Sequence, residues 1–271
     1  MFDKLNTGSN ALIGYSGYVG GTLLRQADFQ NQYRSTNIGE IDGREFDTVV
    51  CAGAQAKKWL ANREPEQDLR GIESLIAHLK TVKARRFVLI STVDVFKQSA
   101  GVDENTPVDE TGLHAYGLHR RLLEKFVENQ FPDHLIVRLP GLVGPGLRKN
   151  VVFDFLNNNN LHMIDSRGVF QFYPMVNLWS DIQTALGAGL KLVHFTAKPI
   201  SVAEVAAEGF GKTFDHALAS PPASYDFQSV HAALFGGHVR YQYSKRETLL
   251  AIRAYAQSEP VTLKTENGGA K

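Results

Sequence analysis

Cysteine is almost absent. Cys51 is the single one in 271 residues, which excludes an internal disulfide and any metal site built on several thiolates. Such usage suits a reducing compartment. Net charge is nearly absent too, since 29 basic side chains stand against 28 acidic ones for a formal +1. A chain so balanced has no global field to draw it to nucleic acid or to an anionic membrane, so any anion it binds must be held by local groups. Long apolar runs are missing: nowhere are there about 18 consecutive apolar residues, as a membrane span requires. Met1 to Asn10 lacks the basic segment and apolar run of a secretory signal, and the cytoplasm is the expected compartment. No internal repeat is visible. From Ser258 to Lys271 there is Pro, Gly, Thr and charge without periodicity, which reads as a frayed tail.

What is present is an ordinary globular composition, 43% hydrophobic and 21% charged, on a chain long enough for one large domain or two closely joined ones. Short apolar runs alternate with amphipathic ones through the first half, the signature of βαβ units. The pattern predicts strands at Asn10 to Ile13, Gln32 to Asn37, Asp47 to Cys51, Arg86 to Ile90 and Leu135 to Leu139. Helices are predicted at Tyr18 to Asp28, Gln67 to Val82 and His114 to Asn129. The expected fold is α/β, a Rossmann doubly wound parallel sheet. Past Pro140 the alternation weakens, and residues 146–271 read as a smaller substrate-binding region able to return strands to the sheet of residues 1–145. The four asparagines Asn157 to Asn160 read as a loop or helix end.

Gly14, Gly17 and Gly20 form GxxGxxG between the first strand and the first helix. Glycines at that spacing permit a tight turn and let backbone N–H groups approach a pyrophosphate at a helix N-terminus. The whole turn, Gly14, Tyr15, Ser16, Gly17, Tyr18, Val19 and Gly20, is therefore the candidate cradle of a dinucleotide. An acid about 20 positions on commonly holds the adenosine ribose, whereas an Arg accommodates a 2′-phosphate. Here that position is Arg34, followed by Ser35, which favours NADP and leaves NAD as the alternative. The other reading makes Arg34 a solvated strand-end cation, with Glu40 or Asp42 close by.

Ser91-Thr92-Val93-Asp94-Val95-Phe96 follows the fourth strand, and Tyr116-Gly117-Leu118-His119-Arg120 opens a helix. With the glycines, Ala52-Gly53-Ala54, Asp68-Leu69-Arg70-Gly71, and Arg138-Leu139-Pro140 through Gly144-Pro145-Gly146, these motifs resemble the extended short-chain dehydrogenase/reductases, the NAD-dependent epimerase/dehydratase family. The likeness covers residues 10 to about 180. It is strongest to the family's dTDP-4-dehydrorhamnose reductase and GDP-fucose synthase branches. The resemblance implies an NAD(P)-dependent reductase or epimerase acting on a nucleotide-sugar, and a homodimer formed through the helix that carries the tyrosine.

Carried over residue by residue, the resemblance makes Thr92, Tyr116 and Arg120 the catalytic set and Ala52, Gly53 and Ala54 further cofactor contacts. Asp94, Arg148, Lys149 and Asn150 become substrate contacts. Tyr116 and Arg120 lie one helical turn apart and share a face. An adjacent cation would draw the tyrosine toward phenolate and so fit it for acid/base work. Two positions depart from the family pattern: Arg120 stands where Lys is usual, and Asp68 where Asn is usual. The first leaves open whether Arg120 takes the lysine's part in a shifted geometry or the chain is a cofactor-binding sensor without turnover. Dehydration is disfavoured, because Val93 stands where dehydratases carry an acid. Cys51, on a core strand, is a poor partner for an epimerising Cys and His pair. No metal is called for, and His119 has no second ligand at metal-like spacing.

Overall fold

The structure, a computed structural model, describes residues 9–262. Its centre is a six-stranded parallel sheet in the order β10-β6-β4-β3-β1-β2. Reading along the chain, β1 (Asn10–Ile13) leads through α1 (Tyr18–Gln26) to β2 (Asn31–Tyr33), and a single helical turn leads on to β3 (Glu45–Cys51). Then come α2 (Lys58–Arg63), α3 (Pro65–Leu79), β4 (Lys83–Thr92), the short β5 (Ala100–Val102), α4 (Ala115–Gln130) and β6 (His134–Leu139). Beyond lie β7 (Gly141–Val143), α5 (Val151–Asn157), β8 (Val169–Phe170), β9 (Phe172–Pro174) and α6 (Leu178–Gly187). The order ends with β10 (Leu192–His194), β11 (Ile200–Ser201), α7 (Val202–Glu204), β12 (Asp226–Phe227) and α8 (Lys245–Ser258).

The strands are apolar on both faces because helices cover both. Ala11, Ile13, Val49, Phe87 and Leu89 point toward Leu75 and Leu79 of α3 and Leu123 and Val127 of α4. Their neighbours Leu12, Val50, Val88 and Leu135 point the other way, onto Leu23 of α1 and Leu178 and Ile182 of α6. Each such side chain contributes about 1.5–3 kcal/mol on burial. A third apolar cluster ties α5, α7 and α8 together through Phe155, Val202 and Ile252. β10 and α6, both beyond residue 146, complete the central sheet.

Beneath the sheet end lies a buried charge network. Arg138 on β6 donates from Nε to Glu124 Oε1 at 2.9 Å and from a terminal nitrogen to Oε2 at 2.7 Å. The Ser91 hydroxyl donates to the same carboxylate at 2.6 Å, as does Arg121 at 2.9 Å.

The second strand ends sooner than its sequence predicts, so Arg34 and Ser35 lie in a turn after Tyr33, where Asn37 Oδ1 accepts from the Arg34 N–H at 2.8 Å. The fourth strand runs longer, and Ser91 and Thr92 are its last residues. α2 is not predicted, since six residues are too few to show a helical period. The asparagine run closes α5, where Asn158 and Asn160 adopt left-handed φ values of 52° and 50°. α8 ends at Ser258, and the part of the expected tail from 263 onward lies outside the described residues.

Candidate active site

β1, β3 and β4 are neighbours, so the segments that leave their carboxyl ends meet at one sheet edge: the glycine turn, Ala52 to Ala54, and Thr92. In an open parallel sheet a ligand sits outside these carboxyl ends, where the strand order reverses. The three glycines do different work there. Gly14 has φ +86°, and a Cβ on it would stand 2.3 Å from the Ala52 carbonyl oxygen. At Gly20 a Cβ would stand 2.1 Å from Gly14 O, so only glycine lets α1 settle against the turn. A Cβ at Gly17 would meet just Gly14 O, at 3.3 Å, and its φ of −79° suits any residue. The fold does not need glycine at 17; the space beside it does.

Gly17 is the N-cap of α1, no side chain caps that end, and its first turn carries no acid. The first-turn N–H groups and the positive end of the helix dipole thus suit a diphosphate. Of the turn residues, Ser16 is exposed and Tyr15 packs half-buried on the core, while the Tyr18 side chain turns away to donate to Gly144 O at 3.1 Å. Burial drives the Tyr18 phenol far above its ordinary ionisation range. Val19 and Ala52 pack on one core and Ala54 on the other, with Gly53 seated against Ile13. A Gly17→Val variant is expected to keep its melting temperature within a few degrees and to lose coenzyme affinity by on the order of tenfold or more. Calorimetric titration with NADPH beside a thermal scan checks this, and an unchanged affinity would remove the turn from the ligand.

Arg34 reaches over the Tyr15 ring, its guanidinium carbon 5.8 Å from the centroid, and its Nε donates to Thr36 Oγ1 at 2.9 Å. Asp42 is taken by His78 at 2.8 Å, and Ser35 is exposed on the same turn. This edge therefore offers a cation and hydroxyls.

Thr92, Tyr116 and Arg120 are all buried, at 9%, 7% and 3% exposure. The phenol lies beside the Thr92 hydroxyl, which favours its ionisation and accepts from Asp94 N–H at 3.1 Å. Three contacts seat Tyr116. Asn62 of α2 accepts from its N–H at 3.0 Å, His114 caps α4 by accepting from Gly117 N–H at 3.0 Å, and Gly117 lies so close that a Cβ would stand 2.1 Å from Asp94 O. Burial pushes the phenol's pKa up, Arg120 pulls it down, and the Asp94 carboxylate pushes it up again, for a net rise. The cation beside Tyr116 favours phenolate, but burial of the phenol outweighs it. Arg120 pairs with both carboxylate oxygens of Asp68, donates to Gln55 O, and lies over the Tyr116 ring at 4.0 Å. His119 bonds the same carboxylate at 2.7 Å. Two departures from the family pattern thus meet each other.

Asp94 is paired with Lys58 at 2.7 Å, and Lys58 also bonds the Tyr225 hydroxyl. Burial, with Lys58 nearby, holds His114 below the ordinary imidazole range. The Lys149 ammonium tucks against Ala56 O, and its partial desolvation lowers its pKa. Arg148 is exposed beside it. Asn150 corrects its reading as a substrate contact: with φ at 92°, its amide oxygen caps α5 by accepting from Val152 N–H at 2.9 Å, and its amide nitrogen donates to Leu142 O at 2.8 Å. Both ends of that amide are occupied by the fold. Lys58, Asn62, His114 and Tyr225 were missed by sequence reasoning, three of them because α2 and the loop of Tyr225 carry no period or motif. His114 had a signal, standing at the boundary of the predicted helix, where a cap belongs. Among the described residues no group of His, Cys, Asp and Glu is placed to hold a metal, and no helix is long and apolar enough to cross a membrane.

A family model described as the NAD dependent epimerase/dehydratase family matches residues 11–171. Among solved structures, a dTDP-4-dehydrorhamnose reductase from Clostridium acetobutylicum is 19% identical, with 92% of this chain and 98% of that one covered at a TM-score of 0.70. The Bacillus anthracis dTDP-4-dehydrorhamnose reductase in complex with NADP is 18% identical over 93% and 100% of the chains, at 0.70. The Bordetella bronchiseptica enzyme WbmG in complex with NAD is 16% identical over 94% and 96%, at 0.71. At such identities the likeness is one of fold. No curated protein sequence matches the chain.

Proposed function

The chain belongs to the NAD dependent epimerase/dehydratase family, and from that premise we propose that it is an NADP-dependent enzyme acting on a nucleotide-linked sugar. The observation that carries this reading is the meeting of Thr92 and Tyr116, side by side and buried, at the sheet edge that also holds an uncapped, acid-free glycine turn. The similar dTDP-4-dehydrorhamnose reductases, and the complexes with NADP or NAD, support the substrate class and the coenzyme.

When bound, the reduced nicotinamide supplies a hydride to a sugar carbon. The residues of this chain do the rest. The α1 N-terminus and Gly17 would hold the diphosphate, and Ala52 to Ala54 would line the coenzyme's path. Thr92 orients the reacting oxygen, and Tyr116 exchanges the proton at it. Arg148 and Lys149, beside the GPG turn, would face the nucleotide-sugar, with Asp94 toward the sugar itself. NADPH consumption followed by absorbance across a panel of nucleotide-linked ketosugars tests the reading, and binding of neither pyridine coenzyme would overturn it.

Arg34 carries the coenzyme preference in this proposal. Arg34→Ala removes a charge-assisted contact to the 2′-phosphate and is expected to weaken NADP(H) by about 10- to 100-fold, with NAD(H) affinity unchanged. Parallel titrations with the two coenzymes measure it; equal losses for both would sink the assignment. The Asp68 hold on Arg120 favours one second reading, a coenzyme-binding sensor without turnover.

A further inference from the structure

The pair formed by Asp68 and Arg120 bears on the direction of proton transfer, given the function proposed above for this site. Arg120 is buried, and its guanidinium is bound to Asp68, to Gln55 O and to Tyr116 O, with its face against the Tyr116 ring. So little freedom remains that it cannot turn toward a ligand without abandoning a buried carboxylate, whose removal from its partner is costly. Burial acts to raise the Asp68 pKa, but hydrogen bonds from Arg120 and His119 outweigh it and hold it down. The carboxylate therefore stays charged and opposes the guanidinium's pull toward phenolate, a pull that burial of the phenol outweighs. Of the other charged or titratable groups around the Tyr116 phenol, Asp94 opposes its ionisation and is itself matched by Lys58, while His114 lies 6.4 Å ring to ring. The two cations that act on the phenol, Arg120 and Lys58, each hold a carboxylate.

We propose that Asp68 is a positioning residue: it fixes Arg120 against the Tyr116 ring and offsets its charge, so that the buried Tyr116 enters the reaction as a phenol that gives its proton. The site is then built for carbonyl reduction and not for epimerisation, which needs the same oxygen first as a base. In balance, the carbonyl carbon gains a hydride from reduced coenzyme, and the carbonyl π bond becomes an O–H bond by taking the Tyr116 proton. The ketone is reduced to an alcohol, the coenzyme is oxidised, and the phenolate regains a proton from water.

The test is direct titration of Tyr116 in the full-length protein saturated with NADPH. The Cζ resonance of isotope-labelled tyrosine reports it, assigned by its loss in Tyr116→Phe. The wild type should titrate above the ordinary 10.0. Asp68→Asn should lower the midpoint by about one pH unit or more, since an unmatched cation favours phenolate. The conservative Asp68→Glu should restore it, and the neutral pair Asp68→Asn with Arg120→Gln should hold the wild-type value. The descending limb of the reduction rate should shift with the midpoint. An Asp68→Asn midpoint equal to wild type, or a neutral pair shifted as far as the single variant, overturns the proposal. Should Asp68→Asn not fold, Asp68→Asn with Arg120→Lys places a compact unmatched ammonium there, and an unmoved midpoint again overturns it. Failure of the underlying reading shows separately, as absent NADPH binding in the wild type.

Discussion

Replacing Tyr116 by Phe is expected to cut turnover by about 10²- to 10⁴-fold, the range for loss of a positioned general acid or base, while NADPH affinity stays within a factor of about two. The ring fills the same buried space against Arg120, and the seat of α4 rests on Asn62, His114 and Gly117, none of which touches the hydroxyl. What disappears is one oxygen beside Thr92. Steady-state rates with a ketosugar found by the coenzyme screen, beside calorimetric titration of NADPH, separate the outcomes. Turnover lost with binding kept supports proton transfer by Tyr116; full turnover in the variant sinks that role. A wild type that binds NADPH yet turns over nothing belongs to the sensor reading.

Glu124→Ala is the variant with the largest expected effect on stability. It leaves the Arg138 guanidinium, 2% exposed, with the Phe96 ring at 5.1 Å and a ring nitrogen of His194 at 3.4 Å in place of its carboxylate. Removing one partner of a buried ion pair costs about 3–5 kcal/mol, on the order of 10 °C in melting temperature for a domain of this size. The Ser91 hydroxyl loses its acceptor as well, one residue before Thr92. Urea denaturation of the two proteins decides it, and a loss below about 1 kcal/mol would show that solvent or neighbours reach the guanidinium. Burial and not sequence marks this glutamate: on a helical wheel it is one more charged residue of α4.

The parts legible in the sequence are those set by period and by glycine geometry. β1 and the start of α1 fall where predicted, because an apolar run passing straight into GxxGxxG admits few backbones. The phenol, the Thr92 hydroxyl and the glycine turn also fall together, since each is fixed by the end of a strand or the start of a helix. Less legible were long-range charge matches. Nothing local says that Asp68 and Arg120 meet, so two departures from a motif read as two weaknesses when they are one contact. Asn150 misled for the opposite reason, since a polar residue after a glycine turn serves a ligand or a helix end equally well, and only its left-handed φ and its two partners decide.

β10 comes late in the chain and closes the far margin of the central sheet against β6. A polypeptide ending near residue 145 would present β6 with a bare ladder of N–H and C=O groups, an invitation to intermolecular strand addition. It would also strip Leu135 and Val137 of the α6 side chains that shield them. The nucleotide-binding half is thus not a separable module: its solubility is finished by a segment some fifty residues downstream, and cutting the chain at the glycine-rich joint would yield a sticky fragment, not a smaller protein.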